Sequence, residues 1–260
     1  MYSNILTRRK FIKDEAGVKE EDYVAVNFSS SFPALNIATI VACDVMKINP
    51  IIITSVGAST WGGNNLEFTY LDMEEFLFNQ GLIKNKTIAV SAGGSGDIGK
   101  DMNTEELNTI LDRMRDLGKT IIFEEDLKNN IDLRKEIYYE KSRNISCFIN
   151  IGGNIVAFGD TTDSINASNG LMDNDFFNVN SKTGLVQYFS SKNIPVINII
   201  NIKDLANEYG LPIDPSTDFI LGQGDVYYTY SYPLKLILAV VTMSFSLLII
   251  LKRIRSNYED

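Results

Sequence analysis

Histidine is absent from this 260-residue chain. Its absence excludes a Ser-His-Asp triad, a histidine-ligated zinc site and any imidazole acid or base. Basic residues are also scarce: 24 lysines and arginines face 33 aspartates and glutamates, which gives a net charge of −9. Because binding nucleic-acid phosphates requires a basic face, we expect no nucleic-acid partner. A local pocket for a small anion remains compatible with this charge.

Cysteine is limited to Cys43 and Cys147, which lie far apart in the sequence. Cys43 falls in an apolar helical stretch and Cys147 in a strand-like run. This placement favours two small buried hydrophobic side chains over a disulfide, and it offers no metal site. With 45% hydrophobic residues, the chain is large and apolar enough to build one domain with a proper core.

Six short apolar runs, rich in β-branched residues, indicate strands that are covered on both faces. Helical patterns lie between them. This alternation predicts an α/β fold of Rossmann-like type, with a mainly parallel sheet and helices on both faces. The predicted strands are Tyr23–Phe28, Ile51–Ser55, Thr87–Ser91, Thr120–Phe123, Cys147–Ile151 and Val196–Ile200. Two helix starts carry capping patterns, Thr69 with Asp72 and Asn103 with Glu106.

An uncharged apolar run, LILAVVTMSFSLLIIL, occupies residues 236–251 near the end of the chain. Residues 233–251 are close to the roughly 20 residues that span a bilayer, so they predict one C-terminal transmembrane helix. Tyrosines precede the run, and Lys252, Arg253 and Arg255 follow it. Such flanks are typical of a membrane span whose basic end lies in the cytoplasm. A buried core helix is the alternative, but the run is apolar on all sides.

These patterns divide the chain into a lead (residues 1–20), the α/β domain (21–210), a linker (211–232), the transmembrane helix (233–251) and a cytoplasmic tail (252–260). The positive-inside rule then places the acidic domain outside the cell membrane. Residues 1–20 nevertheless contain no apolar segment that would export it. Either this chain lacks an N-terminal anchor, or it is tail-anchored with the domain inside.

Four of the predicted strands end in loops of small residues. In an open parallel sheet the carboxyl ends of the strands form the crevice where ligands bind, so these loops should converge. Glycine allows close backbone approach, and amides in such turns and at helix starts favour an anionic oxygen. We predict a cleft there for a carboxylate or phosphate, although turns alone also require such residues. Its ligand-binding residues would be Ser31, Gly57, Ser59, Gly93, Gly94, Ser95, Gly96, Gly152, Gly153 and Asn154.

Few side chains in this cleft could carry out a reaction. Asp97, in the third loop, is the candidate acid, base or cation ligand, and a turn-forming cap is its alternative role. Ser29 and Ser30 are candidate nucleophiles, but without histidine their base would have to be a lysine or a carboxylate. The loop GGSGDIG (93–99) matches neither a Walker A motif nor the dinucleotide fingerprint. The sequence therefore assigns no cofactor and no metal.

Several long motifs occur in one order: SFPALNIA (31–38), SVGASTWGGNNLEFTYLDME (55–74), GGSGDIG (93–99), FINIGGN (148–154) and GLVQYFSSKNIPVINIINIKDLANEYGLPIDP (184–215). In these motifs the chain resembles the poly-gamma-glutamate system protein family, over most of residues 16–216. These are bacterial membrane proteins found with the machinery that makes the poly-gamma-glutamate capsule or its released polymer. Members begin with a membrane anchor ahead of an EAGV motif. Here that motif follows only a short lead, so the resemblance implies a truncated N-terminus.

The resemblance implies a membrane-anchored accessory protein of poly-gamma-glutamate (capsule) biosynthesis or export in the bacterial cell envelope. Its partners would be the membrane, poly-gamma-glutamate or another glutamyl ligand, and components of the polymer synthase. Two alternatives stay open. One is a hydrolase or transferase that acts on glutamyl amide bonds through Asp97 and the hydroxyls of residues 29–31. The other is a non-catalytic assembly factor that contacts the synthase through its membrane helix.

Overall fold

The structure is a computed structural model that describes residues 16–57, 62–161, 167–172, 179–208, 213 and 233–259. The chain divides into two compact units, residues 1–214 and 215–260. The first unit contains a sheet with helices packed on it, and the second contains one long apolar helix.

A seven-stranded sheet forms the centre of the first unit. It is parallel throughout except for one edge strand. In chain order the strands are β1 (Tyr23–Ser29), β2 (Asn49–Gly57), a separate hairpin of β3 (Asn64–Asn65) and β4 (Phe68–Thr69), β5 (Ala89–Gly93), β6 (Thr120–Ile122), β7 (Ile145–Ile151), β8 (Gly170–Met172) and β9 (Val196–Ile199). Across the sheet the order is β6-β5-β2-β1-β7-β9-β8, with β8 antiparallel at one edge.

Helices cover both faces of this sheet and create two hydrophobic cores. The first face carries α1 (Pro33–Met46), α2 (Tyr70–Asn79) and α3 (Thr104–Asp116). The second face carries α4 (Leu127–Lys141), α5 (Ile155–Phe158) and α6 (Leu185–Ser191), while α7 (Ile202–Glu208) returns to the first core. Strands covered on both sides explain why the apolar runs are continuous.

The order in which the chain adds strands to the sheet changes direction at β1. From β1 the chain steps through β2 and β5 to β6, and α4 then carries it across the second face to β7, on the other side of β1. A right-handed crossover in the opposite direction must use the opposite face, which explains the change. The carboxyl ends of β1 and β7 therefore flank a topological switch point, the usual ligand position in open α/β sheets.

The predicted α/β fold with a mainly parallel sheet is confirmed, and all six predicted strands are present. Both predicted helix starts are also present, each with a capping box. The short strands β3, β4 and β8 were not predicted, because runs of two or three residues are too short to give a periodic signal. Cys43 and Cys147 are free and buried in the first core, and burial raises the pKa of both thiols.

A buried carboxylate joins α2 to the segment just before β5. Glu74 Oε2 accepts a hydrogen bond from the backbone N–H of Thr87 at 2.9 Å, and Oε1 accepts from Thr87 Oγ1 at 2.7 Å and Tyr70 OH at 3.1 Å. The ammonium of Lys119, itself nearly buried, lies 3.8 Å from Glu74 Oε2. Burial raises the pKa of Glu74 despite these partners, and burial lowers the pKa of Lys119.

The second unit contains α8 (Leu234–Glu259). Its segment Leu234–Lys252 has 19 residues with a mean hydropathy of 2.5, and its apolar side chains are exposed. The helix is therefore long and apolar enough to cross a membrane. Its hydroxyls suit that environment, because Thr242, Ser244 and Ser246 each donate to the carbonyl four residues earlier.

Replacing Glu74 with Gln should change how stability depends on pH. Because the folded-state pKa of Glu74 is raised, its stabilising contribution is present below the ordinary carboxyl pKa of about 4.3 and is lost as pH rises through the raised value. Glu74→Gln removes that loss, so the variant should gain stability relative to the parent chain from pH 4.5 towards neutrality. Urea unfolding of the full chain in detergent at several pH values measures this gain.

Exposed Glu140, for which the structure gives no ion pair among the described residues, offers the matched control. Glu140→Gln should leave the pH profile of the unfolding free energy parallel to that of the parent chain. If the pH profile of Glu74→Gln is also parallel to that of the parent chain, the burial of Glu74 does not affect how the unfolding free energy depends on pH.

Arginines at the centre of α8 should prevent its insertion into a bilayer. Each arginine at the centre of a spanning helix costs about 2.5–3.5 kcal/mol of insertion free energy. The double substitution Met243→Arg with Leu247→Arg should move the chain out of the membrane fraction in an alkaline carbonate extraction. The control pair Met243→Leu with Leu247→Ile should stay in the pellet. Equal retention of both chains would show that α8 is not what holds the chain to the membrane.

Candidate functional site

Polar side chains replace apolar ones near the carboxyl ends of the central strands. Asn27, Asn150 and Asn198 align across β1, β7 and β9, and Ser55 pairs with Ser91 across β2 and β5. All five side chains are fully buried. We call them the polar layer. Buried polar atoms at such positions require hydrogen-bond partners from the same layer or from the helices above it.

Arg134 of α4 supplies the charged donor to the polar layer. Its guanidinium Nη2 donates to Asp97 Oδ2 at 2.6 Å, to Ser91 Oγ at 2.7 Å and to Ser55 Oγ at 3.2 Å, and its Nη1 donates to Asn27 Oδ1 at 3.3 Å. One side chain on a helix of the second face therefore contacts three strands and the loop after β5.

Asp97 is the carboxylate partner of Arg134, and both of its oxygens are occupied. Oδ1 accepts from Ser55 Oγ at 2.7 Å and from Ser91 Oγ at 2.8 Å, while Oδ2 accepts from Arg134. Both side chains of the ion pair are 0% exposed. Asp97 is thus held as a buried anion. Its role as acid, base or cation ligand stays a prediction, and this geometry favours a structural role instead.

Amide side chains extend the polar layer to the loop after β7. Asn27 Nδ2 donates to Asn150 Oδ1 at 2.8 Å and to Asn154 Oδ1 at 2.9 Å, and Asn154 Nδ2 donates to Ser55 Oγ at 3.1 Å. Asn150 Nδ2 donates onward to Asn198 Oδ1 at 2.9 Å. The predicted ligand residue Asn154 is therefore half-buried and already bound to the chain itself.

The loops after β1, β2, β5 and β7 lie together and are closely packed. The N–H of Gly63 donates to the carbonyl of Ser30 at 2.6 Å. A Cβ on Gly93, where φ is 72°, would lie 2.5 Å from the backbone nitrogen of Gly57, and a Cβ on Gly152 would lie 2.8 Å from Cβ of Ser29. Gly57, Gly93 and Gly152 are buried, so close packing between loops explains these glycines.

Several of the predicted ligand-binding residues reach the surface. Ser95 and Gly153 are exposed, and Ser31, Gly94 and Gly96 are half-buried. A Cβ on Gly153 would meet no atom within 4 Å. The predicted Ser59 lies outside the described residues. Of the described loop residues, the outer ones are thus those that a ligand could contact.

The two candidate nucleophiles are buried. Ser29 Oγ donates to Ser31 Oγ at 3.1 Å, and Ser30 Oγ has no hydrogen-bond partner in the part of the chain that the structure describes. Among the described residues, no lysine and no carboxylate forms a hydrogen bond with either hydroxyl. Since a serine nucleophile needs a base in contact with it, the described geometry does not favour nucleophilic catalysis here.

A groove of about 260 Å³ opens beside the loop after β1 and is lined by Ser31, Phe32, Pro33, Ala34, Leu35 and Ile202. The start of α1 forms one wall. This helix has no side-chain cap, and the N–H groups of Ala34 and Leu35 have no acceptor among the described residues. A helix start carries partial positive charge. The groove therefore combines apolar walls with amide donors, a combination that suits an anionic group on an aliphatic chain.

Arg134, Ser55 and Ser91 were missed by the sequence analysis. Arg134 lies in a run of charged helical residues, LRKEIYYEK, where nothing in the pattern separates it from exposed Lys141. The available signal was the set of polar residues at the ends of otherwise apolar strands. A buried carboxylate requires a cationic partner, but nothing in the sequence showed that Asp97 is buried.

Fold and site together define a doubly wound α/β domain with a buried ionic layer beneath its switch point and an uncapped helix start at its rim. Comparison of the chain with models of known protein families, with curated proteins and with solved structures found no match.

Substituting Arg134 with Met should destabilise the fold strongly, because it leaves the Asp97 carboxylate buried without its counter-charge. Breaking a buried ion pair from one side costs about 3–5 kcal/mol of unfolding free energy. The double variant Arg134→Met with Asp97→Asn should recover part of this loss, since it removes the unpaired charge. Urea unfolding of the full chain in detergent gives both values.

Arg143→Met is the matched control, because Arg143 is exposed and forms no ion pair among the described residues. Its unfolding free energy should stay within about 0.5 kcal/mol of the parent value. Comparable effects of the two arginine substitutions would mean that the buried pair does not support the fold.

Proposed function

We propose that this chain is a membrane-anchored accessory protein of poly-gamma-glutamate biosynthesis or export, and that its α/β domain binds glutamyl carboxylates at the carboxyl edge of the sheet. The observation that carries the proposal is the groove at the uncapped start of α1, beside the switch point. The ordered motif series supports the pathway, and the exposed apolar helix α8 supports the anchor.

The chemistry of a glutamyl unit matches this groove. Such a unit carries a carboxylate on a short aliphatic chain. The free N–H groups of Ala34 and Leu35 would donate to the carboxylate oxygens, while Phe32 and Ile202 would contact the methylene groups. Helix N-termini stabilise anions without a cationic side chain, so an acidic protein can hold one carboxylate in this way.

The net charge of the chain limits how much of the polymer it would contact. At −9, the protein repels a polyanion over most of its surface. We therefore propose a small binding site for one or a few glutamyl units, or for a chain end, rather than a long binding groove. Such a site suits a protein that presents or releases a growing polymer.

The anchor and its flanks support an orientation for this function. Lys252, Arg253 and Arg255 follow the apolar segment, and basic residues of this kind stay in the cytoplasm. In the proposed arrangement the α/β domain lies outside the cell membrane, where the polymer emerges. The assembly-factor alternative uses the same anchor and stays a prediction, as does the hydrolase or transferase, for which the described residues offer no serine-base pair.

An acidic residue at the start of α1 should abolish binding of the polymer without harming the fold. Ala34 is exposed, and a carboxylate in the first turn of a helix stabilises it by about 0.3–1 kcal/mol. In Ala34→Asp that carboxylate would take up the free amides and repel the ligand. Calorimetric titration of the full chain in detergent with a short γ-linked glutamate oligomer should show binding that the variant loses by at least tenfold.

Val45→Asp adds the same charge at the exposed far end of α1, so it should leave the affinity for the oligomer unchanged. An oligomer of γ-linked isoglutamine, in which each free α-carboxylate is replaced by a neutral amide, should not bind to the parent chain. If Ala34→Asp and the parent chain bind the oligomer with equal affinity, the groove is not the binding site. If the parent chain does not bind the oligomer at all, the proposed function is wrong.

A further inference from the structure

One of the three consecutive serines at the end of β1 reaches the groove at the start of α1. Ser29 and Ser30 are 5% and 0% exposed, whereas Ser31 is half-buried and lines the groove. A ligand in the groove can contact only accessible side chains. Of these three hydroxyls, that of Ser31 is therefore the one available for a hydrogen bond to a ligand.

The hydroxyl of Ser29 determines how the hydroxyl of Ser31 is used. Ser29 Oγ accepts from the backbone N–H of Ser31 at 3.3 Å and donates its own proton to Ser31 Oγ at 3.1 Å. A hydroxyl has one proton to donate and two acceptor sites. Ser31 Oγ thus already accepts one hydrogen bond, while its proton has no acceptor among the described residues. Ser31 is left as a donor at the wall of the groove.

The loop after β7 holds Ser29 and the groove wall in place. At Gly152, where φ is 95°, a Cβ would lie 2.8 Å from Ser29 Cβ and 3.1 Å from two ring carbons of Phe32. Phe32 lines the groove, and its backbone N–H donates to the carbonyl of Ser29 at 3.2 Å. Ser29 is therefore packed on one side by Gly152 and bonded on the other to both Ser31 and Phe32.

The groove thus combines backbone donors with one hydroxyl donor around a volume of about 260 Å³. The free N–H groups belong to Ala34 and Leu35, and Ser31 lies two residues before the first residue of α1. A carboxylate has two oxygens, and each can accept more than one hydrogen bond. One oxygen can accept from the amides while the other accepts from Ser31. Hydrogen bonds to an ionised acceptor are about twice as strong as neutral ones.

We propose that Ser31 Oγ is the side-chain donor of the carboxylate site in the α1 groove, and that Ser29 is a positioning residue that acts through Ser31. This inference rests on the proposed function, because the carboxylate is that of a glutamyl unit. It also gives the site selectivity. A neutral amide offers a single acceptor oxygen, so it cannot satisfy both the helix amides and the hydroxyl.

Removing the hydroxyl of Ser31 should weaken binding of the polymer. Ser31→Ala should bind a γ-linked glutamate oligomer about tenfold more weakly than the parent chain, because it loses one hydrogen bond to a charged group. Ser31→Thr keeps a hydroxyl and should retain most of the affinity. Calorimetric titration of the full chain in detergent gives each affinity, and urea unfolding checks that each variant is folded under the same conditions.

A double-mutant cycle tests whether Ser29 acts through Ser31. Ser29→Ala leaves the Ser31 hydroxyl without its orienting partner, so it should weaken binding about threefold in the parent chain. In the Ser31→Ala chain the same substitution should have no further effect. If Ser29→Ala weakens binding equally in both chains, Ser29 supports the loop in general and its proposed positioning role is wrong.

Ser142→Ala is the matched control for the loss of a hydroxyl. Ser142 is also a half-buried serine, and its hydroxyl donates to the carbonyl of Asn144 at 3.0 Å, just after the end of α4. Because Ser142 does not line the groove, its substitution should leave the affinity for the oligomer equal to that of the parent chain.

The outcomes separate this inference from the proposed function. If Ala34→Asp abolishes binding while Ser31→Ala binds as tightly as Ser142→Ala, the groove is the binding site and the role of Ser31 is wrong. The role of Ser31 is also wrong if Ser31→Thr loses as much affinity as Ser31→Ala. If the parent chain does not bind the oligomer, both the inference and the proposed function are wrong.

Discussion

The ion pair between Arg134 and Asp97 is the interaction on which the arrangement of this domain depends. Two unit charges buried together are tolerated only when desolvation is offset by close approach and by further hydrogen bonds. Here Ser55 and Ser91 satisfy Asp97, while Asn27 and Asn130 accept from the guanidinium. The pair joins a helix of the second face to the loop after β5, and through the hydroxyls to the central strands. The position of this loop is therefore coupled to the packing of α4 on the sheet.

In this arrangement, the residues that hold the loops in place differ from those that could contact a ligand. The inner parts of the loops are closely packed: Gly57 and Gly93 contact backbone atoms, and Gly152 contacts the side chains of Ser29 and Phe32. The polar layer below them is closed to solvent. Among the described residues, the outer atoms of the loops remain accessible to a ligand, for example at the start of α1. Loops held from beneath in this way keep their amides in fixed positions, so the proposed binding of an anion would require little ordering of the chain.

Sequence patterns were sufficient for the sheet because its strands are buried on both faces and therefore read as continuous β-branched runs. The convergence of the loops also followed, since loops at the carboxyl ends of parallel strands must share one edge. The burial of Asp97 could not be predicted in the same way. Its neighbours in sequence are glycines and Ser95, which indicate an exposed turn, whereas its real partner lies 37 residues away on α4. Long-range pairing of charged side chains leaves no local period to detect.

The polar layer could not be predicted from the sequence either, because its residues come from different strands. Asn150 and Asn198 lie in strands that are otherwise apolar. Taken singly, each reads as one polar residue in an apolar strand and indicates no network. Only the register that aligns them with Asn27 reveals a continuous chain of amides across three strands. Strand order decides which residues become neighbours, and strand order follows from crossovers rather than from composition. The capped helix starts, by contrast, depend on residues three positions apart and were readable directly.

Burial of Cys43 and Cys147 in the first core has a practical consequence for work on the membrane orientation. A thiol reacts with maleimides and other alkylating reagents as the thiolate, and burial raises the pKa of both native thiols and keeps reagents away from them. The unaltered chain should thus give little background labelling in its folded state. A single cysteine introduced on the outer surface of the domain, or in the basic tail, would then report on which side of a sealed vesicle it lies.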